Sequence, residues 1–409
     1  MTSSQPPSTP SPGLRAQRNE LPQPSPEALA HCERLCAHIR AAITTAGGWI
    51  PFSRYMELAL YAPGLGYYSA GARKLGAEGD FTTAPEMSPL FGQVLAQQVR
   101  DLFVEEGLPR AILEVGAGSG SLAASLLEEL DRLDATPDDY FILELSADLR
   151  QRERDTLAAR VPALLPRVTW LNQLPPSFSG VIIGNEVLDA MPVELFRRDD
   201  GKEVVQQGGV CWSAEANAFA IAWQAATDEL SDSVNALEAP ALPAPGYQSE
   251  IGLAASAFIT SIASILERGA AIFFDYGFPR AEFYHPQRSE GTLMCHYRHR
   301  AHGDPLFLPG LQDITAHVDF SAIAAAGHAA GLEVLGYTSQ SHFLINCGIT
   351  ELLSRIDPDD LRAYLPLAGA AQHLLSPAEM GELFKVIALG RGIRKPLAGY
   401  ARGDRVDTL

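Results

Sequence analysis

Short apolar runs alternate along this chain with segments whose apolar positions recur at helical spacing. AILEV (111–115), YFILEL (140–145), VTWL (168–171), GVIIGN (180–185) and AAIFFDYG (270–277) read as strands. SLAASLLEELDRL follows the first of them as a helix, and a second helix spans about Glu250 to Arg268 before the last. Strands alternating with helices predict an α/β fold built on a parallel, doubly wound sheet.

Upstream, the pattern predicts a helix from about Ala28 to Ala46, ended by Gly47-Gly48, and a short one over PFSRYMELALY with Pro51 near its start. Ser88-Pro89 reads as an N-cap followed by proline at the first helical position. Leu90, Phe91, Val94, Leu95, Val99, Leu102 and Phe103 then share one buried face. Between these helices, residues 62–86 are rich in glycine and aromatics, which suggests an ordered functional loop or lid.

After the fourth strand, ELFRRDDGKEVVQQ reads as a hairpin turning at Asp200-Gly201, with a second pair around Val210 to Trp223. LEVLGYTSQSHFLI and FKVIALGRG close the pattern as strands, separated by a helical excursion over 350–380. The expected plan is a tail (1–27), a helical and lid region (28–109), and one catalytic-type domain (110–392). That domain carries a β-rich insertion (192–249) and the helical excursion, and a C-terminal tail (393–409) follows.

Composition narrows the function. With 46% hydrophobic residues in 409, a large core is expected. The formal net charge of −18 argues against binding nucleic acid through its phosphates, and it suits either a cationic partner or a merely solvated acidic surface. The five cysteines are scattered, with no CxxC pair, as in a reducing compartment. No apolar run approaches the roughly 18 residues of a membrane span. The first 27 residues are Ser/Pro-rich, without the apolar core of a secretory signal, and their prolines forbid a continuous transit-type helix. A disordered tail is expected there.

Two clusters carry chemistry. Gly116, Gly118 and Gly120 in EVGAGSG sit between a strand and a helix, where a tight turn lets backbone N–H groups approach a ligand. A nicotinamide fingerprint needs Gly or Ala at position 121, which is Ser. Glu114, two residues before the first glycine, and Glu144, closing the second strand where an acid grips ribose hydroxyls, instead favour S-adenosylmethionine. The other cluster is VIIGNEVLDAMPVELF: a strand running into Asn185, Glu186 and Asp189, as open α/β sheets present a site at their carboxyl edge. Asp275-Tyr276-Gly277 could face a substrate or form a buried turn. Asp319 or Ser321 could be a helix cap, and His317 a substrate contact or proton acceptor. Cys295, His296, His299 and His302 lack the spacing of a known zinc site, so no metal is expected.

GYYSAG with GDFTTAPEMSPLFG, LEVGAGSG, GNEVLDAMPVELF, FFDYGF and GTLMCHYRHRAHGDPL followed by DITAHVDFSAI together resemble the MidA family of S-adenosylmethionine-dependent methyltransferases, from about residue 30 to 392. That family includes mitochondrial complex I assembly-factor arginine methyltransferases. The resemblance implies a class I methyltransferase fold with an inserted substrate region. It also implies methylation of a protein arginine, no metal, and Asp80, Thr82 and Thr83 near the cofactor. It points to the cytoplasm for a bacterial member and the mitochondrial matrix for a eukaryotic one.

A guanidinium stays charged, so its site must offer carboxylates that fix the planar fork. One carboxylate at ~4 Å gains about 4 kcal/mol at a partly screened dielectric of ~20. Glu186 and Asp189 are the candidates for this clamp, with His317 beside them and Asn185 toward the cofactor. A small-molecule methyltransferase, or an assembly factor that keeps the cofactor pocket, are the alternatives.

Overall fold

The computed structural model describes residues 21–70, 83–198, 204–237 and 246–409. Seven strands form the body of the central sheet: β1 (Ala111–Val115), β2 (Asp139–Leu143), β3 (Val168–Leu171), β4 (Phe178–Asn185), β5 (Leu266–Phe278), β6 (Glu333–Ser339) and β7 (Phe384–Arg391). Their order is β6-β7-β5-β4-β1-β2-β3, and a two-residue strand, Val318–Asp319, adds to the end of β5. The five strands from β5 to β3 run parallel.

The expectation of an all-parallel sheet needs one correction. β7 is antiparallel to both β5 and β6. A strand buried on both faces reads as one apolar run in either direction, so VIALG carries no mark of its orientation.

Each strand feeds two cores. Ala270, Ile272 and Phe274 of β5 join the layer under helices Leu90–Val104 and Ser121–Arg132, while Ala271 and Phe273 join the layer under helices Leu253–Ile265 and Phe320–Ala329. This is the period-two alternation of a strand covered on both faces. Each fully buried branched or aromatic side chain there stabilises the fold by ~1.5–3 kcal/mol.

The helix Pro26–Thr45 is capped by the Ser25 hydroxyl, one to two residues earlier than expected. The expected tail falls largely outside the described residues, as do residues 71–82 of the lid stretch and the Asp200-Gly201 turn. The insertion forms a separate five-stranded sheet. Both expected strand pairs are present, Glu194–Arg198 with Val205–Ser213 and the latter with Ala218–Ala225. Trp49–Pro51 and Gln248–Ile251 complete that sheet from either side of the chain. A small sheet of Met294–Tyr297, Arg300–His302 and Asp313–Thr315 stands next to it in sequence. No helix among the described residues is long and apolar enough to cross a membrane.

Candidate functional site

A cleft of about 1440 Å³ opens along the carboxyl ends of β1, β2, β4 and β5. At one end lies the glycine turn. Gly116, Gly118 and Gly120 have φ of 65°, 59° and 79°, a left-handed region that costs other residues ~1–2 kcal/mol each. At Gly120 a side chain would also press on the backbone of Glu153, 3.0 Å from its Cα. The Gly116 amide donates to the Leu143 carbonyl at 3.0 Å, tying the turn to β2.

Glu114 and Glu144 flank this turn. The Tyr140 hydroxyl donates to Glu114 Oε2 at 2.5 Å, and burial pushes the Glu114 carboxyl up to about 7. The Ser146 amide donates to Glu144 Oε1 at 2.7 Å. Burial raises the Glu144 carboxyl too, against the pull of the backbone donors and of Arg150. Arg150 Nε holds the Glu144 carbonyl at 2.6 Å, which fixes the residue at the strand end. Thr83, at the start of the short helix Ala84–Met87, and Asn185 line the same cleft. Asp80 and Thr82 lie outside the described residues.

The acidic end is built where β4 leaves the sheet. The Glu186 amide keeps the ladder for one more residue, donating to the Phe274 carbonyl at 2.8 Å, while Glu186 itself turns with φ 53°. Asn185 Nδ2 donates to Glu186 Oε1 at 3.1 Å. Burial, with the Asp189 charge beside it, pushes Glu186 up to about 8. Asp189 is buried and accepts from the Tyr276 hydroxyl; burial pushes it up to about 6. One oxygen of Asp189 and one of Asn185 are buried without a hydrogen-bond partner.

His317 joins this end. Its ring stacks on Phe278, centroids 5.2 Å apart, and meets Tyr276 edge-on at 5.1 Å. Burial pushes its pKa down to about 4, so it is neutral near pH 7, and its Nδ1 is buried without a partner.

Three residues of this wall were not named as site residues from the sequence. The Tyr68 hydroxyl donates to both oxygens of buried Asp313, at 2.9 and 3.0 Å. Tyr61 stacks on Tyr68 at 5.5 Å and donates to the Ala190 carbonyl at 2.9 Å. The aromatic richness of 62–86 was the available signal, but nothing local connects it to residue 313.

Other expectations resolve structurally. Asp275 is fully buried within β5 rather than in a turn, whereas Tyr276 faces the cleft. Asp319 Oδ1 caps the helix Phe320–Ala329 at Ala322 N and pairs with Arg280 at 3.4 Å. Around Cys295, His302 Nδ1 accepts the Asp304 amide and Arg298 reaches the Gln23 carbonyl, while His296 lines the cleft. Among the described residues, no three His, Cys, Asp or Glu side chains are grouped as metal ligands would be.

The charge of the cleft is one-sided. Eight Asp or Glu residues line it among the described residues, and no Lys or Arg does. The whole chain, by contrast, carries 31 Lys and Arg for its 49 Asp and Glu. Its acidity therefore exceeds what the acidic composition alone would place there, and it suits a positively charged occupant.

Comparisons with known proteins bear on the chain's family and fold. A family model for S-adenosyl-L-methionine-dependent methyltransferases matches residues 94–338. The mitochondrial protein arginine methyltransferase NDUFAF7 of Danio rerio is 29% identical over 390 residues, 86% of each chain. Its homolog in Drosophila melanogaster is 27% identical over 426 residues, 93% of each chain. A crystal structure of a Burkholderia thailandensis protein bound to S-adenosyl-homocysteine is 53% identical. It superposes with a TM-score of 0.91 over 95% of this chain and 100% of that one.

Proposed function

This chain belongs to the MidA-like family of S-adenosyl-L-methionine-dependent methyltransferases, and from that premise we propose that it methylates the arginine side chain of a protein. The observation that carries the proposal is the pair Glu186 and Asp189, sunk in a cleft that no lysine or arginine lines among the described residues, with an Asp189 oxygen still lacking a donor. A buried acceptor left unsatisfied costs ~1–3 kcal/mol. A guanidinium supplies the missing N–H groups in a plane.

The fold's cofactor fits the other end. The left-handed glycines leave a surface of backbone that side chains would fill. S-adenosylmethionine, when bound, supplies an electrophilic methyl group on a sulfonium. Glu144 would accept the ribose hydroxyls, and Glu114 and Asn185 would hold the amino-acid part, with Thr83 lining the same cleft. Glu186 and Asp189 fix the guanidinium and polarise one nitrogen toward the methyl group; orientation of this kind supplies roughly 7–11 kcal/mol of a barrier.

The attacked nitrogen must lose a proton. A clamp carboxylate takes it directly, or neutral His317 relays it from the wall. Before transfer both carboxylates are ionised against two cations, the sulfonium and the guanidinium. Afterwards one sulfonium charge is gone and one carboxylate is protonated, so the site stays balanced.

A respiratory complex I type subunit, or a similar protein, is the proposed target. Five free cysteines suit the reducing compartment in which such an enzyme works, cytoplasmic or mitochondrial according to its source. The test incubates purified protein and radiolabelled S-adenosylmethionine with lysate from a strain lacking the gene, then hydrolyses the labelled band. Label in methylarginine is the expected result. Label in another amino acid or in a small molecule overturns the arginine assignment and leaves the methyltransferase.

A further inference from the structure

The clamp is carried by a turn that has no stability of its own. β4 and β5 pair in parallel as far as Asn185 and Phe274. Glu186 then adopts a left-handed conformation that a side chain disfavours. The next three amides, Val187, Leu188 and Asp189, do not return to a helix or a ladder. All three donate to one atom, Asp275 Oδ2, at 3.2, 2.8 and 3.3 Å. The second oxygen of Asp275 takes the Tyr276 amide at 3.0 Å. The side chain is fully buried. Successive amides converging on one anion form a backbone nest, and here the anion belongs to the protein.

The turn held by this nest runs from Glu186, just before the three amides, to Asp189, which supplies the last of them. We propose that Asp275 is the positioning residue of the substrate site, a buried carboxyl group that folds the Glu186–Asp189 turn around itself. The inference rests on the clamp reading above and extends it from the groups that would touch substrate to the one that aims them.

Charges facing Asp275 come from several elements. Glu186 and Asp189 flank it on the β4 exit, and both raise its pKa by repulsion after burial has done so. Tyr276 follows it and donates to Asp189, with His317 against the Tyr276 ring. Lys385 lies directly opposite on β7, and its ammonium donates to the Glu382 and Leu383 carbonyls.

Asp275→Asn is the test, with Asp189→Asn beside it, using purified protein and radiolabelled S-adenosylmethionine on the deletion-strain lysate described above. Asparagine can offer an oxygen to the three amides, but its NH₂ then confronts the Tyr276 N–H, donor against donor. A misplacement of the clamp by ~1 Å is expected to lower kcat about 100-fold, with S-adenosylmethionine affinity within about threefold of wild type. That split between kcat and cofactor affinity is one that loss of stability alone does not produce, since Glu114, Glu144 and the glycine turn stand on other elements.

Unchanged kcat overturns the inference, and so does a loss of kcat matched by an equal loss of S-adenosylmethionine affinity. Full activity in Asp189→Asn would instead sink the clamp reading itself. If Asp275→Asn does not fold, hydrogen exchange on the wild-type protein decides. Slow exchange at Val187, Leu188 and Asp189 supports the nest, and exchange as fast as in an open loop overturns it.

Discussion

At the glycine end of the cleft, Glu114 and Glu144 already accept hydrogen bonds from the chain itself, from the Tyr140 hydroxyl and the Ser146 amide. At the other end Asp189 keeps an oxygen without a donor, Glu186 has only Asn185, and both are pushed well up by burial. Each acid of the first pair is already held by a donor of the chain, and burial raises both as well. The second is left incomplete, and the free energy lost by burying it is recovered when a cation fills it. One cleft thus separates affinity for the cofactor from demand for a charged substrate.

The sharpest way to break that division is Asp189→Asn. Transfer should fall on the order of 10³-fold while S-adenosylmethionine binding by calorimetry stays within about threefold. Loss of cofactor binding in this variant would merge the two ends into one. Glu144→Ala is the converse. Removing a charged acceptor of two hydroxyls should weaken cofactor affinity by roughly 10- to 150-fold, from ~1.5–3 kcal/mol. Its kcat at saturating cofactor should stay near wild type, and steady-state kinetics in both substrates reads the split.

The incomplete end also predicts a pH dependence of stability in the ligand-free protein. Asp189 at about 6 and Glu186 at about 8 keep protons that the unfolded chain releases near pH 4. The folded state therefore binds more protons across that window. Its stability is full below about pH 4 and declines as pH rises through 6 to 8. Tm measured from pH 5 to 8.5 should fall, and less steeply in Asp189→Asn; a rising Tm would contradict the geometry. The smallest effect is expected from Tyr61→Phe, which removes the bond to the Ala190 carbonyl beside the clamp. A neutral hydrogen bond contributes ~1 kcal/mol, so kcat/KM should drop about fivefold without change in cofactor affinity.

How much was legible in the sequence follows the same division. Glu114, the three glycines and Glu144 sit on a strand–turn–helix–strand unit whose geometry is local, so spacing alone placed them together. Glu186 and Asp189 were visible because a buried strand ended in polar residues. Their surroundings were not. Tyr61, Tyr68 and Asp313 come from segments as much as 252 residues apart and meet only through the tertiary fold. Asp275 stood between two readings because strand periodicity says which face a residue takes, and nothing of the three amides that reach it. The direction of β7 was hidden for a related reason, since a wholly apolar strand pairs equally well either way.

That last strand has a consequence for how the chain assembles. β7 lies between β5 and β6 in space, yet it is made after both of them. Until Phe384–Arg391 arrives, β5 presents AAIFF along an open edge and β6 lacks its ladder in this sheet. Closing this gap requires pairing across more than a hundred residues for β5, which slows folding. An unpaired apolar edge held open for that time is a template for association with other chains. The strand that completes the sheet is therefore also the one whose delay decides whether a nascent molecule folds or aggregates.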